Sequence, residues 1–313
     1  MAKEMWVFAE KPALQAELLA CAKTLGDAAA AVVLGNQAAV DQAFAQGADK
    51  VFWLGEKPDH LLLDDYVPTL AALLKEQKPA GMLVGATRRG KAIAGRLGAA
   101  LGVTVLADVK KFIAEGDSLQ VSHMVFGGAA VRLEKAVTDI MLATVSFGIV
   151  EALPPDPSRK GEVVKVAFVE PKWKAVLRER KPRPPSSVNL AAAKKVVCPG
   201  RGIAKKEDLE MIFELARLLE AEVGATRPLT EGLDWLPRER YIGVSGAFVK
   251  PDLYLGVGVS GQAQHTVGIT ESRVIVAINK DGEAPLFSQS DYGIVGDLYQ
   301  IVPALINALK ARK

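Results

Sequence analysis

The chain has 313 residues, half of them hydrophobic and 24% charged, which is apolar surface enough for two domain cores and excludes a disordered polypeptide. Its net charge of +3, with acids and bases interspersed, gives little hold to a polyanionic partner. Cys21 and Cys198 lie far apart without C-x-x-C spacing, which excludes a structural zinc on ligand count and suits a reduced compartment. Neither a signal peptide nor an apolar run of roughly 18 residues is present, so a cytoplasmic location is expected.

The first half alternates short β-rich runs with helical stretches. Strands are expected at Trp6–Ala9, Ala31–Gly35, Lys50–Leu54 and Gly81–Gly85, with helices in "ALQAELLACAKTLG" and "TLAALLKEQK". Such alternation predicts a mostly parallel sheet flanked by helices. After Val103 the text turns strand-like, in "VSHMVFGG" and "DIMLATVSFG". Arg178, Arg180, Lys181 and Arg183 then sit beside Pro182, Pro184 and Pro185. No aromatic residues interleave there, which favours a solvated connector over a nucleic-acid patch. A boundary falls near Pro185–Leu190, dividing the chain into domains 1–188 and 189–313.

A second β-α series starts at "KKVVCPGRG". Its strand, Lys195–Cys198, leads into Gly200-Arg201-Gly202 and a helix on which Leu209, Ile212, Phe213, Ala216 and Leu219 are expected to share the buried face. Glu207 and Asp208 occupy its first turn, where carboxylates favour the positive helix end. Strands follow in "EVGAT", "DLYLGVGV" and "RVIVAIN", then a helix from about Gly296 to Ala311. The fold class is therefore α/β with two domains, each a mostly parallel sheet flanked by helices. Strand ends are expected at Cys198, Ala225, Val259 and Asn279, and ligands of open parallel sheets sit outside such ends.

Two glycine-rich segments invite a phosphate reading. Gly85 to Lys91 nearly matches a nucleotide-hydrolase loop, but Ala92 replaces the hydroxyl residue that would hold magnesium; a helix start after a strand explains the same glycines. Gly200-Arg201-Gly202 lacks the third glycine of the dinucleotide fingerprint, with Lys205 in its place. By itself it fits a phosphate site and an ordinary turn equally. Gly256, Gly258, Ser260 and Gly261 close a buried strand with a turn whose N–H groups can converge on an anion. His265 follows, placed to donate to a ligand group that becomes negative; a lone histidine is more often a packed one. Thr226-Arg227, Gly243-Val244-Ser245-Gly246 and Asn279-Lys280-Asp281 add polar groups at three further strand ends.

These segments, with "GRGIAKKEDLEMIFELARLLEAEVGATRP", "LYLGVGVSGQAQHTVGI" and "VIVAINKDGEAPLFSQSDYGIVGDLYQIVPAL", resemble the alpha subunit of electron transfer flavoproteins. The resemblance is dense from about Lys194 onward and fainter but collinear before it. It implies a C-terminal, Rossmann-like FAD-binding domain and an N-terminal domain at the interface with a beta subunit that usually carries AMP. It also implies electrons taken from acyl-CoA dehydrogenases or similar donors, as in fatty acid beta-oxidation, and passed to an acceptor oxidoreductase. Arg201, Ser260 and Gly261 are implied to lie at the FAD phosphates, and Asn279 and Asp297, with Lys280 and Asp281 beside them, at the adenosine half. Thr226, Arg227, Val244, Ser245, Gly246, Gln264 and His265 are implied to surround the isoalloxazine and ribityl chain. Arg227, Ser245 and His265 would then stabilise the reduced, anionic flavin.

The sequence departs from the family twice. Gly243-Val244-Ser245-Gly246 stands where G-Q-[TS]-G is usual, and Thr226 where serine is commoner, which puts the flavin potential in doubt. A nicotinamide-dependent dehydrogenase would need the missing third glycine, although Glu222 lies near the spacing of the acidic partner. A scaffold with a decayed site would not be expected to retain Arg227, Ser245 and His265 together.

Overall fold

The structure, a computed structural model, describes residues 3–115, 118–126, 130–173, 175–179 and 188–312. The chain divides into two compact units, one from residues up to Lys181 and one from Pro182 onward, with residues 126–130 grouped with the latter. The prolines expected to mark the connector, and Arg180, Lys181 and Arg183 among them, lie outside the described residues.

The first unit contains β1 (Glu4–Phe8), α1 (Pro12–Leu25), β2 (Ala28–Val33), α2 (Gln37–Ala45), β3 (Lys50–Trp53), α3 (Val67–Gln77), β4 (Gly81–Gly85) and α4 (Arg88–Leu101). These are followed by β5 (Val105–Val109), β6 (Lys111–Glu115), β7 (Ser118–Val125), β8 (Ala130–Lys135), β9 (Met141–Val145) and β10 (Glu162–Lys165). Seven strands form a parallel sheet in the order β10-β3-β2-β1-β4-β9-β5, and β6-β7-β8 form a second, smaller sheet. Along β1 successive side chains enter opposite cores, Met5 and Val7 on one face, Trp6 and Phe8 on the other. That two-sided burial is what makes these strands continuous apolar runs. The near-match to a nucleotide-hydrolase loop is a helix start: Thr87 caps α4 by accepting from Gly90 N–H at 2.9 Å, and a Cβ on Gly90 would collide with the Gly85 carbonyl.

The second unit contains β11 (Lys195–Pro199), α5 (Leu209–Leu219), β12 (Glu222–Val223), α6 (Arg227–Thr230), β13 (Leu253–Val257), α7 (Ala263–Thr266), β14 (Ile275–Asn279), β15 (Tyr292–Val295) and α8 (Leu298–Lys310). Its five strands are parallel in the order β12-β11-β13-β14-β15. One face packs Val197, Leu255, Val257 and Ile278 against α5 and α8; Val196, Cys198, Tyr254 and Ala277 fill the other. The buried stripe of α5 is Leu209, Ile212, Leu215 and Ala216. Phe213, expected in that stripe, is exposed, because the helix is rotated to bury Leu215 instead; its ring lies under the Arg240 guanidinium at 5.8 Å. Leu219 packs at the edge of this core. "EVGAT" pairs as a strand only over Glu222–Val223, and Ala225 forms an isolated bridge with Tyr241.

Candidate functional site

In the second unit, β11 and β13 are neighbours although β12 lies between them in sequence, so the strand order reverses at this pair. The crevice beyond the carboxyl ends at such a reversal is the ordinary ligand position in an open parallel sheet. Gly200 follows β11 and Gly258 follows β13, and the two backbones touch. Gly200 N–H donates to Val257 O at 2.9 Å and Gly202 N–H to Gly258 O at 3.0 Å. A Cβ on Gly202 would lie 2.8 Å from Gly258 Cα, and Gly258 itself has φ +64°. Side chains at these positions would force the segments apart.

The turn after β13 leaves a run of backbone amides unpaired. Val259, Ser260, Gly261 and Gln262 lie between β13 and α7, and their N–H groups have no hydrogen-bond partner among the described residues. Three contacts hold the turn from behind. Asn279 Nδ2 donates to Val259 O at 2.9 Å, Leu286 N–H donates to Ser260 O at 3.1 Å, and Gly261, at φ +87°, presses against the Leu286 backbone. Consecutive amides of this kind form a concavity for an anion.

Around this edge stand the other polar groups. Thr226 follows β12, and its Oγ1 is buried with no hydrogen-bond partner among the described residues. Arg227 is exposed, with Nε donating to Glu231 at 2.7 Å. The 243–246 turn is tied to the 262–266 turn by Val244 N–H donating to Gln264 O at 2.7 Å, leaving the residues Val244, Ser245, Gly246 and Gln264 exposed. Arg201 is exposed at the tip of the loop after β11. That loop is pinned by Tyr299, whose hydroxyl accepts from Ala204 N–H at 2.9 Å and donates to Asp208 Oδ2 at 2.5 Å.

His265 is inside the protein. Its Nδ1 lies 2.9 Å from Ile242 O, and its Nε2 lies 2.7 Å from the Tyr254 hydroxyl and 4.0 Å from Cys198 Sγ. A carbonyl can only accept, so Nδ1 carries the proton and Nε2 accepts from Tyr254. Burial lowers the histidine pKa to about 4, against a raising effect of the Ile242 carbonyl. Burial likewise pushes the Cys198 thiol up to about 12.

Models of known families account for both units. Residues 6–171 match the electron transfer flavoprotein domain, and residues 189–270 the electron transfer flavoprotein FAD-binding domain. The chain belongs to the electron transfer flavoprotein family, as an alpha-type member. YdiR of Escherichia coli K12, named as a candidate electron transfer flavoprotein subunit, is 42% identical over 306 residues, covering 97% of each chain. Protein FixB of Escherichia coli O139:H28 is 40% identical over 307 residues, and that of Shigella flexneri 39%, each covering 98% of both chains.

The residues at this edge of the electron transfer flavoprotein chain fit an anionic dinucleotide. The four unpaired amides, the exposed Arg201 and the orphaned Thr226 hydroxyl offer donors with no internal use. Arg201, Arg227, Ser245, Ser260, Gln264 and Lys280 reach the surface around the crevice. Four residues expected to contact a ligand are otherwise engaged. Both ring nitrogens of His265 are committed inside, so donating a hydrogen bond to a ligand would break the Nδ1–H bond to Ile242 O. Asn279 spends its amide on Val259 O and accepts from Asp281 N–H at 3.1 Å, which makes it a clamp behind the turn. Asp281 accepts from Glu283 N–H, and Asp297 caps α8 by accepting from Tyr299 N–H at 2.9 Å. Sequence reasoning missed Tyr254, Glu231 and Tyr299. Glu231 carried a signal, the i,i+4 spacing from Arg227; the other two act across the fold and had none.

Proposed function

We propose that this chain is the FAD-carrying alpha subunit of a heterodimeric electron transfer flavoprotein. Its beta partner would carry AMP, its donors would be of the acyl-CoA dehydrogenase type, and an oxidoreductase would be the acceptor. The reading is carried by the four unpaired amides at the strand-order reversal, a site for a diphosphate flanked by Arg201. When bound, FAD supplies the redox chemistry, taking up electrons and giving them on. Arg201, Ser260 and Gly261 would hold the diphosphate, and Lys280, Asp281 and Asp297 would border the adenosine, with Asn279 holding the turn between them. Thr226, Arg227, Ser245 and Gln264 would meet the flavin and ribityl portions, with Val244 and Gly246 shaping the turn that presents Ser245. The positive charge of Arg227 favours an anionic ring. Ser245 offers a hydroxyl donor to a ring nitrogen. His265 holds the loops together from beneath, which supports the site without putting a charge in it.

Family membership and the proline-rich stretch support the domain division 1–188 and 189–313, the first domain providing the subunit interface. The test is purification of the chain co-expressed with its beta subunit, with FAD and AMP counted per heterodimer. One FAD per alpha chain is expected, lost on Arg201→Ala with Ser260→Ala. A heterodimer that takes up no FAD overturns the proposal.

A further inference from the structure

Arg227 is not free to orient at will. Its Nε donates to Glu231 Oε2 at 2.7 Å, while Arg238 Nε approaches Glu231 Oε1 at 3.1 Å. Both arginine side chains are about two-thirds exposed, whereas the carboxylate between them is 27% exposed. The carboxylate stands on a fixed base: Glu231 N–H donates to Arg227 O at 2.7 Å, and Thr230 Oγ1 donates to the same carbonyl at 3.2 Å. A guanidinium bound through Nε keeps its four Nη hydrogens for another acceptor, in a plane the carboxylate defines.

We propose that Glu231 is a positioning residue for Arg227, holding the guanidinium by Nε so that its Nη edge faces the flavin. Glu231 also sets the charge of the Arg227-Glu231-Arg238 cluster at +1, where two unpartnered arginines would give +2. The proposal rests on the reading that FAD lies at this sheet edge. Neutralising Glu231 favours a reduced, anionic ring by charge alone, and any acceptor left at residue 231 keeps Arg227 in place. Glu231→Gln and Glu231→Ala remove the same charge, but only glutamine retains an oxygen for the Arg227 Nε–H.

The experiment measures the flavin midpoint potential of the FAD-loaded heterodimer for both variants, each with Arg227 intact and in an Arg227→Gln background. Exchange protection of the Arg227 Nε–H is followed by NMR in the same proteins. Glu231→Gln should have the higher potential, by about threefold in the one-electron reduction equilibrium, the scale of an exposed charge pair. That difference should vanish once Arg227 is gone. The Nε–H should be protected in wild type and Glu231→Gln and unprotected in Glu231→Ala. Equal potentials with Arg227 intact, a difference that survives its loss, or an unprotected wild-type Nε–H would overturn the assignment. A wild-type heterodimer without FAD would instead remove the reading beneath it.

Discussion

Tyr254 and His265 meet at 2.7 Å, hydroxyl to Nε2, and the Ile242 carbonyl takes the proton on the other ring nitrogen. One neutral ring thereby ties three segments: β13 through Tyr254, the 243–246 turn through Ile242, and its own 262–266 turn. The sign of its pH effect follows. The folded pKa, about 4, is below the ordinary 6.5, so the unfolded chain binds the proton more readily. This contribution to stability is fully present above pH 6.5 and is lost as pH falls from 6.5 towards 4, by up to ~3 kcal/mol. Urea unfolding at pH 7, 5.5 and 4.5 should show the loss in wild type. His265→Gln should flatten that part of the profile; an unchanged slope would mean that another group carries it.

Thr226 separates a ligand role from a structural one. Its buried hydroxyl has no hydrogen-bond partner among the described residues, and an unsatisfied buried group costs ~1–3 kcal/mol. Thr226→Val keeps the shape and removes that cost. The apo chain should therefore unfold at equal or higher denaturant concentration, while FAD binding weakens by about tenfold, the worth of one hydrogen bond. Titration calorimetry and denaturation on the same preparation check both halves. A variant both less stable and unchanged in FAD affinity would show that the hydroxyl is not a ligand group.

Gly261 is fixed by backbone geometry. Its φ is +87°, and a Cβ there would press into the Leu286 backbone, which already donates to Ser260 O. Gly261→Ala should cost ~2 kcal/mol or more through strain and displaced backbone. It should also reduce FAD retention on gel filtration, since the same turn carries the unpaired amides. Full retention of FAD would argue that the turn tolerates the shift.

Tyr299 acts on the loop that bears Arg201. Its hydroxyl bridges Ala204 N–H and the Asp208 carboxylate, and burial and Asp208 raise its pKa above the ordinary tyrosine value. Tyr299→Phe keeps the ring and deletes both bonds, at ~1 kcal/mol of stability. Amide exchange at Ala204 should speed up, and affinity for ADP, which shares the diphosphate, should fall while riboflavin affinity holds. Equal losses for ADP and riboflavin would point to a general loosening of the unit.

The sequence alone determined the β-α alternation, the parallel sheets and the glycine positions, because these follow from local periodicity and from backbone sterics that only glycine relieves. It also put Arg227, Ser245 and Gln264 in the segments that connect the strands of the second unit, since these follow the β-rich runs in chain order. Tertiary structure alone decided which polar groups are left over for a ligand. Asn279 and His265 look like ligand groups in one dimension, yet each finds a partner from a distant segment, and Tyr254 and Tyr299 owe their roles to such pairings. The stripe of α5 turned on the same point: Phe213 and Leu215 are both apolar, and packing against the sheet chose Leu215. A hydrogen bond or a buried face is a relation between surfaces, and the residues that complete it are set by how strands and helices come together in space.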